Sequence, residues 1–87
     1  MKLNNAILVL DKGFVYFGNM SISDGWVTLT NAHNIRSFGT KRGLGQLSLT
    51  GPTSETVLDP CNTIICREDK LIHIIEAVPE VWAKIKQ

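Results

Sequence analysis

Seven consecutive residues, Gly39-Thr40-Lys41-Arg42-Gly43-Leu44-Gly45, put two cations, a hydroxyl and three glycines into one loop. Glycine backbone carries no Cβ, so it reaches positive φ and can turn successive N–H groups toward one point, the geometry of an anion-binding nest. From Gly25 to Ser54 the chain contains no Asp or Glu. Positive charge without a local counter-charge points to an anionic partner. In this reading Gly39 and Gly43 free backbone donors, Thr40 offers a hydroxyl, and Lys41 and Arg42 neutralise phosphate. Arg36, just upstream, adds a planar guanidinium fork. The phosphate-loop spacing of nucleotide hydrolases is absent, because no Lys-Ser/Thr pair follows the second glycine. The plain alternative is a solvated turn whose glycines serve geometry alone.

An aromatic platform is the second requirement of a nucleotide site. Trp26 shares one strand face with Thr28 and Thr30, so its ring is placed to stack on a base, and Phe38 is a second candidate. Core or interface packing is the alternative for both rings. His33 stands where it can donate to a ligand, whereas His73 is expected to pack in its strand with a ring nitrogen bonded to backbone. Neither histidine has a Ser, Cys or Asp pattern around it of the kind that activates a nucleophile. The carboxylates are scattered through connections. The expectation is therefore a binding protein, not an enzyme, with no metal site and no cofactor.

At 87 residues with 44% hydrophobic and 20% charged residues, the chain suits one folded domain spanning 1–87. A domain this small buries a modest fraction of its surface alone, which makes a homo-oligomer the expected state. The net charge of +1 argues against coating a nucleic-acid polymer through bulk charge. The apolar run Ala6–Leu10 is too short for a membrane span or the core of a signal peptide, so a soluble cytoplasmic protein without membrane partners is expected. Cys61 and Cys66 then read as reduced thiols, one of them packed as a small hydrophobe.

The elements that must position these groups are short and turn-bounded. Strands are expected at Ala6–Leu10, Phe14–Phe17, Trp26–Thr30, Ile35–Phe38, Thr63–Cys66 and Leu71–Val78. Turns fall at Asp11-Lys12-Gly13, Ser23-Asp24-Gly25 and Arg67–Lys70, and Gly18 marks a bulge or a close approach. Asn31–Asn34 reads as a corner and Thr53–Asp59 as a connection. Leu44, Leu47 and Ser48 give one side of a short central helix stopped by Gly51-Pro52. Pro79 opens a C-terminal helix on which Trp82 and Ile85 share a face. The fold class is mainly β: a small antiparallel β-barrel or roll with a short central helix and a C-terminal helix.

The block Trp26-Val27-x-Leu29-x-Asn31-Ala32-x-x-Ile35-Arg36-x-Phe38-Gly39, followed by Gly43-Leu44-Gly45-x-Leu47 and Gly51-Pro52, resembles a family of small proteins encoded by bacteriophages. Gly13–Gly18 and Ile74-Ile75-Glu76-Ala77 are similar to that family's ends. In size and presumed source the chain also resembles the oligomeric phage sponges that soak up nucleotide immune signals of CBASS or Thoeris defence. That resemblance implies an anti-defence protein acting in the host cytoplasm, sequestering a small nucleotide-like ligand through Trp26, His33, Arg36, Phe38 and the loop Gly39–Gly43. The alternatives are a protein-interaction module that inhibits a host factor and a small Sm-like or OB-like RNA-binding protein.

Overall fold

Turn chemistry sets the first three strands. Strand β1 runs Lys2–Leu10, β2 Val15–Ser23 and β3 Trp26–Ser37 in the computed structural model, which describes residues 1–82. A single 3-10 turn at Asp11–Gly13 joins β1 to β2. Between β2 and β3, Asp24 and Gly25 both adopt positive φ (54° and 80°), as a two-residue hairpin of the right twist requires. Helix α1 spans Gly43–Thr50, β4 Val57–Pro60, β5 Ile64–Arg67, β6 Leu71–Glu76, and α2 Pro79–Trp82. Ile85 lies outside the described residues.

The strands form one antiparallel sheet in the order β6-β1-β2-β3, with β4 and β5 both paired to the remaining edge of β3. β4 takes the half from His33 to Ser37, and β5 takes Trp26 to Leu29. Two expectations are corrected here. Asn31–Asn34 is no corner: β3 continues through it, with an extra residue opposite Gly18 and Asn31 at φ 50°. The connection expected at Thr53–Asp59 ends early, because Val57–Pro60 is a strand; Pro60 is tolerated there on the sheet edge. Gly18 is a close approach, as anticipated. A Cβ there would stand 2.7 Å from the Thr30 carbonyl oxygen and 2.9 Å from Leu29 Cγ.

Apolar side chains bury on both faces. One cluster holds Ala6, Leu8, Leu10, Met20, Val27 and Leu29 on the concave face, and Ile64 and Cys66 from one edge and Leu71 and Ile74 from the other pack against it. Only three residues, Glu68–Lys70, link those two edge strands, so the sheet must curl to bring them within reach. The opposite face carries Ile7, Val15, Phe17 and Ile35, covered by Leu47 of α1 and Trp82 of α2. Trp82 is 1% exposed; its ring stacks on Phe17 at 4.2 Å, and its Nε1 donates to the Leu47 carbonyl at 3.2 Å. The Val78 amide donates to the Ser48 carbonyl at 3.0 Å, which fixes the two helices together. Among the described residues no helix is long and apolar enough to cross a membrane.

Because Trp82 joins both helices to the sheet, Trp82→Ala is expected to lower unfolding free energy by about 3–5 kcal/mol, read from urea denaturation. Trp82→Phe keeps the stack but leaves the Leu47 carbonyl without the indole donor, and the expected loss is smaller, about 1–2 kcal/mol.

Candidate functional site

The glycine-punctuated loop leaves the end of β3 and enters α1, and threonine hydroxyls hold it in place. Thr53 Oγ1 donates to the Gly39 carbonyl and Thr56 Oγ1 to the Phe38 carbonyl, each at 2.7 Å. Gly39 has φ 68°, and a Cβ there would collide with the Thr56 amide nitrogen and the Glu55 carbonyl carbon. Both the backbone conformation and the space therefore demand glycine at this position. Downstream, Thr40 Oγ1 donates to the Gly43 carbonyl, and the Arg42 amide donates to Gln46 Oε1 at 2.9 Å. The Gly43 amide points to the Thr40 carbonyl at 3.4 Å. The expected convergence of bare amides is thus corrected at Arg42 and Gly43, whose N–H groups are engaged inside the loop.

The other sequence-derived candidates do not gather around this loop. Arg36 forms a two-pronged pair with Asp59 of β4, Nε to Oδ2 at 2.7 Å and a second nitrogen to Oδ1 at 3.3 Å. The window without acids is acid-free only along the chain; in space Asp59 answers its first cation. The hydrogen bond from Arg36, helped by its charge, holds the Asp59 carboxyl below the usual carboxylate range, and Asp59 raises Arg36 in turn. Phe38 is half-buried against the cluster under α1. His33, only 2% exposed, lies in the sheet interior with Nδ1 lacking a hydrogen-bond partner, so it is not a surface donor. His73 is the exposed histidine, on edge strand β6. The two histidines thus exchange the environments expected of them. Trp26 sits at the far end of β3, a contour of roughly 35 Å from the loop, with the Arg67 guanidinium 5.1 Å above its ring.

Two concavities among the described residues bear on a site. The first, about 480 Å³, runs along the outer side of α1 and is lined by Lys41, Arg42, Gln46, Leu49 and Thr50. Gln46, Leu49 and Thr50 lie on one face of α1, and Lys41 and Arg42 adjoin that face from the loop just before the helix. Neither Lys41 nor Arg42 makes an ion pair among the described residues. Leu49 is 66% exposed beside them. The groove can therefore offer charge to an anion and apolar surface to the body attached to it.

The second concavity, about 460 Å³, lies where β1 and β3 bulge on either side of β2, among Lys2, Asn4, Asn19, Ser21 and Thr30. Sequence reasoning missed these residues. The available signal was the alternation Asn19-x-Ser21-x-Ser23 facing Thr30 and Thr28, which marks a solvated sheet face.

Among the described residues no three His, Cys, Asp or Glu side chains gather at metal-binding distance. Both cysteines are free: Cys61 is exposed, while Cys66 packs against the concave cluster and burial pushes its thiol pKa up. Cys61 should accordingly react with iodoacetamide at neutral pH several-fold faster than Cys66, as peptide mapping after timed quenching reads out.

The Arg36–Asp59 pair carries a pH signature. Asp59 is lowered in the folded state, so the pair's small contribution is complete above the ordinary carboxylate pKa and is lost as pH falls through the lower folded value. Carboxyl carbon NMR should find Asp59 titrating below the ordinary range in the native protein and within it in Arg36→Ala. No protein-family model matches this chain, and no curated protein matches it.

Proposed function

We propose that this chain is a small non-enzymatic binding protein that takes an anionic, nucleotide-like ligand in the groove along α1. One observation carries the reading: two cations that form no ion pair among the described residues share a groove with an exposed leucine, and no carboxylate is among its described lining residues. Lys41 and Arg42 meet the phosphate, Gln46 and Thr50 hydrogen-bond to the ligand's polar edges, and Leu49 lies against its apolar ring. Arg36, engaged by Asp59, belongs to the structural frame of this site and not to its charge. A lining with no nucleophile next to a base is suited to holding a ligand rather than transforming it, which fits the sequestering role that the phage resemblance implies.

The same reading takes the curled sheet as a small barrel or roll, since three residues join its opposite edges and side chains from both share one core. It takes the protein to act in the host cytoplasm as an assembly of identical copies, for which the exposed Ile72 on edge strand β6 is the supporting feature.

Calorimetric titration with a cyclic dinucleotide and with ADP-ribose tests the groove. Lys41→Ala and Arg42→Ala should each weaken binding by about 1.5–3 kcal/mol, the range for hydrogen bonds to charged groups. Ligand recovered after denaturation should be intact. Equal affinity in both variants and in the double variant would place the site elsewhere, and a processed ligand would make the protein an enzyme.

A further inference from the structure

The helices cover only half of the outer sheet face. The outer cluster under α1 and α2 draws on Ile7, Val15, Phe17 and Ile35, all on one side of the bulges. On the other side, toward the β2–β3 hairpin, no described helix covers the face. Its rows across the strands follow from the register. Asn19 pairs with Thr30, Ser21 lies beside Thr28 and then Ile65, and Ser23 lies beside Trp26 and then Arg67. Lys2 pairs with Ser21 on the remaining side. The second concavity occupies the end of this surface nearest the bulges.

The chemistry of this half-face is specific. Its rows carry two cations, Lys2 and Arg67, and the acidic residues nearest to them in sequence, Asp24 and Glu68, belong to the turns at its hairpin end, where the Glu68 amide donates to the Gly25 carbonyl. Trp26 keeps 46% of its surface exposed and is held by the Arg67 guanidinium above its ring. An exposed tryptophan backed by a guanidinium is a stacking platform for a flat, electron-rich partner. From Trp26 to Thr30 is about 13 Å along the strand, so the platform and the cleft of amides and hydroxyls serve successive units of one extended ligand.

We propose that this half-face is a second binding surface, distinct from the α1 groove, that takes a short single-stranded nucleic-acid segment. One base stacks on Trp26. Arg67 and Lys2 meet flanking phosphates, and Asn19 and Thr30 hydrogen-bond to the edges of the next nucleotide. Charge complementarity selects an anionic polymer over a neutral saccharide, and the scarcity of apolar residues beside Ile65 disfavours a protein partner. The near-neutral chain fits this role because few phosphates are contacted: with two cations, log K against log salt should fall with a slope of about −1.4.

The test uses the full chain with oligouridylate and oligothymidylate ten-mers, labelled for anisotropy, and follows tryptophan emission in parallel. Trp82 is shielded, so quenching by the ten-mers reports Trp26. Trp26→Ala should weaken binding roughly tenfold. Thr28→Glu, which leaves the ring in place and sets a carboxylate between platform and cleft, should weaken it as well. Lys2→Gln and Arg67→Gln should each flatten the salt slope by about 0.7. Thermal unfolding checks that each variant is folded. The proposal is overturned if folded protein fails to bind either ten-mer at low salt, if Trp26→Ala and Thr28→Glu bind as the native chain does, or if affinity is lost in Lys41→Ala instead. Trp26 quenching by maltohexaose, or with protein concentration alone, would equally overturn it by assigning the face to a saccharide or to a second copy.

Discussion

Two bulges at one level of the sheet govern where everything else lies. β1 carries an extra residue opposite Asn19, and β3 carries one opposite Gly18. The left-handed residues at these points are Asn5 and Asn31, and asparagine is among the few side chains that tolerate that conformation. Asn19 ties the strands together there, accepting the Asn5 amide through Oδ1 at 3.3 Å. On the outer edge, β4 and β5 are separate strands rather than one, and the Cys61 amide reaches the Ala32 carbonyl across the gap. Bulges bend a strand and raise its twist, so aligned bulges fold a sheet along a line.

That line explains the two cores. A flat antiparallel sheet of this size buries one face and wets the other. Here the bend lets both edges pack against one cluster on the concave side, so Ile64, Cys66, Leu71 and Ile74 share a core with Leu8 and Leu29. The outer side beyond the bend is left convex and apolar, and two short helices cover it. Neither helix is long enough to be stable by itself. α1 depends on Leu47 below it, on the Gly51 amide closing its last turn, and on the indole of Trp82 at the same Leu47 carbonyl. The α1 groove is consequently positioned by contacts that run through α2 to Phe17 on β2, far from the loop in sequence.

Local chemistry was legible from residue order; the bulges were not. Asp24-Gly25, Asp11-Lys12-Gly13 and Gly51-Pro52 mark their turns because positive φ or a missing N–H restricts which residues fit. Gly18 was legible as a close approach, though not the carbonyl it approaches. A bulge shifts the side-chain alternation by one, so Val27, Leu29, Ala32 and Ile35 do not read as one strand, and the polar Asn31 between them mimics a corner. The four-residue β4 contains Asp59 and Pro60, which no strand pattern predicts; pairing with the free edge of β3 makes it a strand. The candidate site suffered most from the same blindness. Arg36 meets a carboxylate 23 residues away, and His33 is buried because its strand is central and lies on the face the helices cover. His73 has similar aliphatic neighbours but occupies an edge strand, which is enough to expose it.

The fate of the cations follows from the strand on which each one sits. Arg36 belongs to β3 where β4 runs beside it, so a carboxylate at hydrogen-bond distance costs little ordering and the pair forms. Lys41 and Arg42 stand beyond the end of β3, where no strand continues alongside. The nearest acidic residue of the neighbouring turn, Glu55, contributes its backbone to the packing under Gly39. Charge near the loop is therefore left uncompensated by the topology of the sheet and not by composition, since the chain as a whole is nearly neutral. Arg67 shows the same logic at the opposite end of the molecule. It emerges at the last residue of β5, with Trp26 as its cross-strand neighbour, so its guanidinium settles on an aromatic face. A guanidinium is weakly hydrated and planar, which suits it to that face better than an ammonium would be. Among the described residues Lys41, Arg42 and Arg67, at the two ends of β3, form no ion pair, whereas Arg36 does; what separates them is whether a strand bearing a carboxylate runs alongside.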